Sequence, residues 1–425
     1  MDTSRLTQDL ASPPNINHDQ EHASTLPTSE LASACDELGV ELMGITQLVD
    51  DEGRLVDWFM PHAHRLEEWL RRGDHAEMSW MHERREARQD PRVLLPEVRS
   101  GITLWISHHF PEELSADEAR QARGYEARVA RYAWGRDYHN VLRRILRRLS
   151  KWIQARDPRA TSHGSVDTSP VLERAIAERC GVGWIGKSTM LIHPQRGTFG
   201  SLAVLLTSAR FDRLDQPPTP RCGTCTACID RCPTQALSAS GLDARRCISY
   251  WTIEHRGVIP REIRPLLGEW TFGCDLCQDV CPWSVKAERR ASPPDHDVWR
   301  PRAERARPDL LEWLRLSDDE LNESLLGSPL RRAHPYGLKR NAIITLTNQR
   351  YAEALPIIWE QLHNANPAVR ATAIWGIMTL TSYLDQEAGT PARLTQAWRR
   401  ISSTLSAEDE GEVIAEMMWA RALIS

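Results

Sequence analysis

Little in this chain of 425 residues points toward a membrane or a secretory route. No run approaches the roughly 18 continuous apolar residues that a membrane span needs, and Met1 to Glu30 has neither the basic nor the apolar region of a secretory signal. Those absences imply a cytoplasmic protein with no membrane partner. A net charge of only −5 gives no overall field that would name nucleic acid as a partner, although Lys and Arg are bunched locally. Cysteine is scarce outside one segment: of ten, only Cys35 and Cys180 fall outside the stretch from Cys222 to Cys281. In a reducing compartment that placement argues against a disulfide framework. The two outlying thiols read as small buried apolar side chains with no part in chemistry.

The length exceeds one ordinary core and predicts two or three domains. Residues 1–28, rich in Ser, Thr, Asn, Asp and Pro without apolar periodicity, read as a disordered extension. Residues 29–215 read as α/β, with helical text at Leu31 to Leu38 and Pro170 to Cys180 and strands at Val40 to Ile45, Gly101 to Ser107 and Leu202 to Thr207. Tyr138 to Ile153 is an amphipathic helix, with Leu142, Ile145, Leu146 and Leu149 on one side and Arg143, Arg144, Arg147, Arg148 and Lys151 on the other. Such a face is either solvated or turned to RNA. Residues 216–292 hold the cysteines, 293–328 form a Pro-rich linker and a helix, and 329–425 are an all-helical tail in which "NPAVRATAIWGI" resembles a HEAT-type repeat.

Cys222, Cys225, Cys228 and Cys232, followed by Pro233, reproduce the run C-x2-C-x2-C-x3-C-P, in which three thiolates hold one four-iron cubane and the fourth reaches a second. Cys274, Cys277, Cys281 and Pro282 repeat its last three positions, with Thr271 where the first cysteine would stand. The pseudo-symmetry of two-cluster ferredoxins then assigns Cys222, Cys225, Cys228 and Cys281 to one 4Fe–4S cluster and Cys232, Cys274 and Cys277 to the other. Cys247 is the remaining cysteine of the segment and the natural fourth ligand. A pair of all-cysteine zinc sites is the rival, but zinc ribbons use separated C-x2-C pairs and not an overlapping run of four.

Gly181 to Ser188, "GVGWIGKS", satisfies both the phosphate-loop and the dinucleotide patterns. Both mechanisms need a strand before the loop and a helix after it. Here the helical text "PVLERAIAERC" precedes and the strand text "TMLIHP" follows, so nucleotide binding is not expected.

The stretches "RYAWGRDYHNVL", "VDTSPVLERAIAERCGVGWIGKSTMLI", "RRCISYWT" and "LKRNAIITL", with the two cysteine runs, resemble the bacterial epoxyqueuosine reductase family from about Ser29 to the last helices. The resemblance implies an α/β cobalamin-binding domain, then a two-cluster ferredoxin-like domain and an all-α HEAT-like repeat domain. It implies cobalamin beside two 4Fe–4S clusters, and reduction of epoxyqueuosine to queuosine at the wobble position of tRNA. The family's ligands carry over onto all eight clustered cysteines, and its proton-donating aspartate onto Asp167 of "VDT". Arg88, Asp137, Asp167, Lys187 and Ser249 are the corrin-facing candidates it suggests. Where some members have a cysteine near the pocket, this chain has Ala130, so a thiol there is not an obligatory proton source. The lower-ligand pattern D-x-H-x-x-G is absent, because Leu142 stands where glycine is required. Without the resemblance, Asp137 and His139 would read as a helix cap and a surface imidazole.

Removing an epoxide oxygen as water takes two electrons and two protons, and the departing oxygen needs an acid. Asp167 fits that role if burial raises its pKa until it is protonated near neutrality. Arg331, Arg332, Lys339, Arg340 and Arg350 in the tail suggest a grip on tRNA. Two other readings compete: a corrinoid reductive dehalogenase acting on a small substrate, and a non-catalytic electron carrier or tRNA-binding module. The first lacks a use for the basic faces; the second needs only the cysteine segment. A reductant protein is implied, and a monomer is expected.

Overall fold

The computed structural model describes residues 25–109, 123–288, 300–388 and 392–424, so most of the predicted N-terminal extension and the start of the predicted linker lie outside the described residues. The N-terminal part is built on a four-stranded antiparallel sheet in the order Leu42–Gln47, Ser100–Ser107, Gly200–Thr207, Ser162–Ser165. Side chains of a strand alternate between faces, and here both faces are covered. Ile102, Leu104, Ala203 and Leu205 pack with the helices Thr28–Glu37 and Tyr138–Arg156, while Trp105, Val204 and Leu206 pack with Ile176 and Ala177 of the helix Glu173–Arg179.

A Cβ on Gly44 would lie 1.9 Å from the Cys180 carbonyl oxygen, so strand and helix end meet this closely only because residue 44 has no side chain. Cys35 and Cys180 are both fully buried, and burial pushes each thiol up to about 12. Neither is placed for chemistry. The described residues begin at Thr25, within the stretch read as an extension, and Thr25–Leu26 is a strand: it pairs with Arg210–Phe211, and Leu26 is buried.

The cysteine segment is joined to the sheet domain through the parallel pairing of Trp270–Phe272 with Arg128–Val129. The helical tail then closes over both. Leu310, Trp313 and Leu314, from the stretch read as linker and helix, pack with Tyr125, Val129 and Phe272 and with Leu338 and Ala342 of the helix His334–Asn348. That helix is the seam. Arg340, fully buried, donates to the carbonyls of Trp251 (2.8 Å), His255 (3.0 Å) and Gly257 (2.7 Å). Asn341 donates to Thr252 O (2.8 Å) and Thr271 O (2.9 Å). Thr271, at the position where a further cysteine was sought, is buried and shares a 3.1 Å hydrogen bond with the Thr345 hydroxyl.

Candidate active site and metal centres

The cysteines gather into the two sets that their spacing predicts. Cys281 lies within electrostatic reach of Cys222 and Cys225, and Cys228 within reach of Cys281 and Cys222. These four line one cavity of about 330 Å³. Cys247 neighbours Cys232, while Cys274 and Cys277 neighbour Cys247. Cys277 also feels Cys228, so the sets adjoin. The first set lines a shared cavity, the kind of space a cubane would fill. The local sequence dictates the wrapping: the C-x2-C spacings fold Ala227–Arg231 as one helical turn, and Pro233 ends the loop.

The second set borders the sheet domain. Asp275, next to Cys274, accepts the Arg131 backbone N–H at 2.7 Å, and the Arg131 guanidinium pairs with Asp279 at 2.5 Å. A Cβ on Gly273, whose φ is +68°, would lie 2.5 Å from the Ala130 Cβ. Residues 130–139 therefore run from the second set directly into the turn that opens the helix Tyr138–Arg156.

That turn carries a linear array of ionisable groups. Asp137 caps the helix, accepting the His139 backbone N–H at 3.0 Å, and its carboxylate holds His139 Nδ1 at 2.7 Å. His139 Nε2 lies 3.5 Å from Asp167 Oδ2, an ion-pair distance too long for a good hydrogen bond. The Tyr138 hydroxyl donates to Asp167 at 3.3 Å. Asp167 adopts φ +59°, a left-handed conformation uncommon for a residue with a side chain. It is held there by its own N–H, which donates to Glu173 Oε1 at 2.8 Å, while the Ser165 hydroxyl donates to the same oxygen at 2.6 Å.

Burial opposes charge on all three acid–base groups, and the neighbours decide the outcome. For His139, the bonds and charges of Asp137 and Asp167 outweigh desolvation and raise its pKa to about 9. For Asp167, desolvation is overcome by His139, Tyr138 and Arg174, so its carboxyl lies below the ordinary range. The condition set for Asp167, a pKa raised by burial, is therefore not met: its carboxyl is held down, while His139, between two carboxylates, is held up. Glu173 goes the other way, raised to about 7 by desolvation and by the charge of Asp167.

The remaining corrin candidates are distributed unevenly. Arg88 is buried, its guanidinium donating to the Trp80 and Arg84 carbonyls at 3.3 Å and feeling the charge of Asp167. Ser249 donates its hydroxyl to Cys247 and so belongs to the second sulfur set. Lys187, another corrin-facing candidate, has its ammonium engaged by the carbonyls of Gly223 (2.8 Å) and Cys225 (3.0 Å), beside the first sulfur set. The phosphate-loop lookalike around it is a hairpin, Trp184–Ile185 against Leu191–Ile192. The tail expectation is corrected at two of its five residues. Lys339 is buried against Asp318 at 2.8 Å and Arg340 is consumed by carbonyls, so neither is available to RNA. Sequence reasoning missed the roles of His139 and Glu173; the one local signal was the D-x-H spacing at a helix start.

Taken together, two ferredoxin-type sulfur sets leading to an acid–base cleft in an α/β domain define an iron–sulfur oxidoreductase. Residues 221–284 match the family model "4Fe-4S double cluster binding domain", and residues 88–168 match "Epoxyqueuosine reductase QueG, DUF1730". The chain belongs to the epoxyqueuosine reductase family. It is 38% identical over 282 residues to the epoxyqueuosine reductase of Synechocystis sp., covering 66% of this chain and 93% of that protein. With that of Escherichia coli K12 it shares 34% over 343 residues, 80% of this chain and 86% of the other. Two solved structures superpose with a TM-score of 0.78. One is epoxyqueuosine reductase with an epoxyqueuosine-modified tRNA-Tyr stem loop, 28% identical and covering 92% of this chain and 97% of that one. The other, from Bacillus subtilis, has its aspartate catalytic loop swung out of the active site; it is 27% identical with the same coverage.

Proposed function

We propose that this chain reduces epoxyqueuosine to queuosine at the wobble position of tRNA, drawing electrons through two 4Fe–4S clusters. The observation that carries this reading is the Asp137–His139–Asp167 array, which opens beside the second sulfur set. Cobalamin is the cofactor this reading calls for, and the donor set is compatible with it: the Asp167 side chain is 70% exposed, Arg174 is exposed, and His139 Nε2 is a buried nitrogen without a good hydrogen bond. Arg88, Asp137 and Asp167 would hold it there, whereas Lys187 and Ser249 serve the clusters. When bound, cobalamin supplies a reduced cobalt centre able to transfer electrons to the substrate carbon.

The chain's own residues handle the protons. Asp167, ionised at rest, would accept a proton from His139 across the 3.5 Å gap and present it to the departing oxygen. Glu173 fixes the Asp167 backbone and, with a pKa raised to about 7, is a second proton source. His139, clamped by Asp137 and facing Asp167, is committed to that relay. The tRNA backbone is best met by the exposed stripe Arg143, Arg144, Arg147, Arg148 and Lys151, since Arg143 donates to the Thr168 hydroxyl at 2.6 Å, one residue from Asp167. That charged path favours a polyanionic substrate over a small organohalide.

The test is Asp167→Asn in cluster- and cobalamin-loaded protein. Asparagine keeps the volume but cannot deliver a proton, so single-turnover conversion of epoxyqueuosine in a tRNA stem loop should fall by about 10² to 10⁴ with tRNA binding retained. Near-normal conversion would reject Asp167 as the acid.

A further inference from the structure

The first sulfur set differs from the second in how it meets solvent. Its cavity is lined by Lys187, Arg221 and Lys286 besides the cysteines, and no carboxylate lines it. Gly223 to Thr226 are exposed, Cys225 included. Lys187 is fixed at the rim by its two carbonyl bonds, Lys286 lies 5.9 Å from the Trp283 ring centre, and Val285 beside it is exposed. The one acid on the loop, Asp230, accepts from the Thr226 hydroxyl at 2.7 Å. By contrast, Cys274 of the second set packs against Ile248, Trp270, Ile344 and Trp375, behind the tail.

We propose that this cationic rim is the docking surface for an acidic one-electron carrier protein, which reduces the cluster held by Cys222, Cys225, Cys228 and Cys281. The inference rests on the reading of the chain as a two-cluster reductase. Each docking moves one electron: the carrier is oxidised by one, the cluster is reduced by one, and no bond forms or breaks. Two such events, with two protons, take the epoxide to an alkene and water. A hydride donor fits less well, because a cluster accepts electrons singly and the neighbouring glycine loop is a hairpin without nucleotide-binding order. Three cations in the cavity lining, against the one loop acid Asp230, also give a net positive field that steers an anionic partner.

The test is anaerobic stopped-flow bleaching of the reconstituted holoprotein, reading cluster absorbance and not turnover. Reduced plant-type ferredoxin, an acidic one-electron donor, is compared with dithionite. With ferredoxin the second-order rate should fall steeply with salt, and Arg221→Glu with Lys286→Glu should lower it by about 10- to 100-fold. The extent of bleaching by excess dithionite and the iron content should stay at the wild-type level, which shows that the variant is folded and loaded; Lys286→Gln should give an intermediate ferredoxin rate. Equal ferredoxin rates in wild type and the double variant, or no salt dependence, would overturn the docking surface while leaving the reductase reading intact. Failure of dithionite to bleach the wild type would overturn both.

Discussion

The helix Tyr138–Arg156 carries Arg143, Arg144, Arg147, Arg148 and Lys151 in the open, and none of them pairs with a carboxylate among the described residues. The helix His334–Asn348 and the turn before it carry Arg331, Arg332, Lys339 and Arg340, and the protein engages each: Asn322, Glu254, Asp318 and three carbonyls take them in turn. In sequence the two stretches look alike. What separates them is the opposite face. The first helix lays one apolar stripe on the sheet and leaves its cations outside, whereas the second is buried from Gly337 to Thr347 between the cluster segment and the rest of the tail. A cation enclosed on all sides, as Lys339 and Arg340 are, must find acceptors in the protein or be excluded from the fold. Those two become cement instead of contacts for RNA, whereas Arg331 and Arg332 stay exposed.

The comparison breaks most visibly at Arg340. Arg340→Ala leaves three carbonyls without a donor at the seam, so stability should fall by about 3–5 kcal/mol, read as the urea midpoint of cluster-loaded protein. A loss below about 1 kcal/mol would mean that the tail holds without it. On the other helix, Arg144→Glu with Arg148→Glu and Lys151→Glu should weaken binding of a tRNA stem loop about tenfold or more and make the salt dependence shallower by about 2 in log–log slope. Lys339→Glu should leave that slope unchanged, and a slope that fell with Lys339→Glu alone would reverse the assignment of the two helices. The gentlest effect is on pH dependence. His139 has its pKa raised to about 9 by Asp137 and Asp167, so its ion pairs are fully formed below about pH 6.5 and are lost as pH rises through about 9. Single-turnover conversion should hold level through neutrality and decline above about pH 9, and His139→Gln should lack that decline. A falling limb that persists near pH 9 in His139→Gln would assign the proton to another group, whereas a limb centred near pH 7 would point to Glu173.

The grouping of the cysteines was legible from the sequence because the contacts that matter are short-range. C-x2-C spacings wrap a cubane wherever the loop lies, and counting alone brought Cys247 into the second set, where the structure finds it beside Cys232, Cys274 and Cys277. The apolar period of Tyr138 to Ile153 and the bland reading of Cys35 and Cys180 belong to the same class, since each follows from one segment and its own pattern. Asp167 could be singled out only through a motif, and its protonation state could not be read at all. That state depends on His139, 28 positions earlier, on Glu173, six later, and on how strongly the surrounding fold desolvates each. The partners of Lys187 were hidden for the same reason: a lysine in a glycine loop has one sequence and several possible acceptors, and the loop carrying Gly223 and Cys225 was the one that arrived. Charge and ligand type are properties of residues and are written in the chain, whereas the energy of a charge is a property of its surroundings, and in this protein those surroundings come from segments that only the tertiary fold brings together.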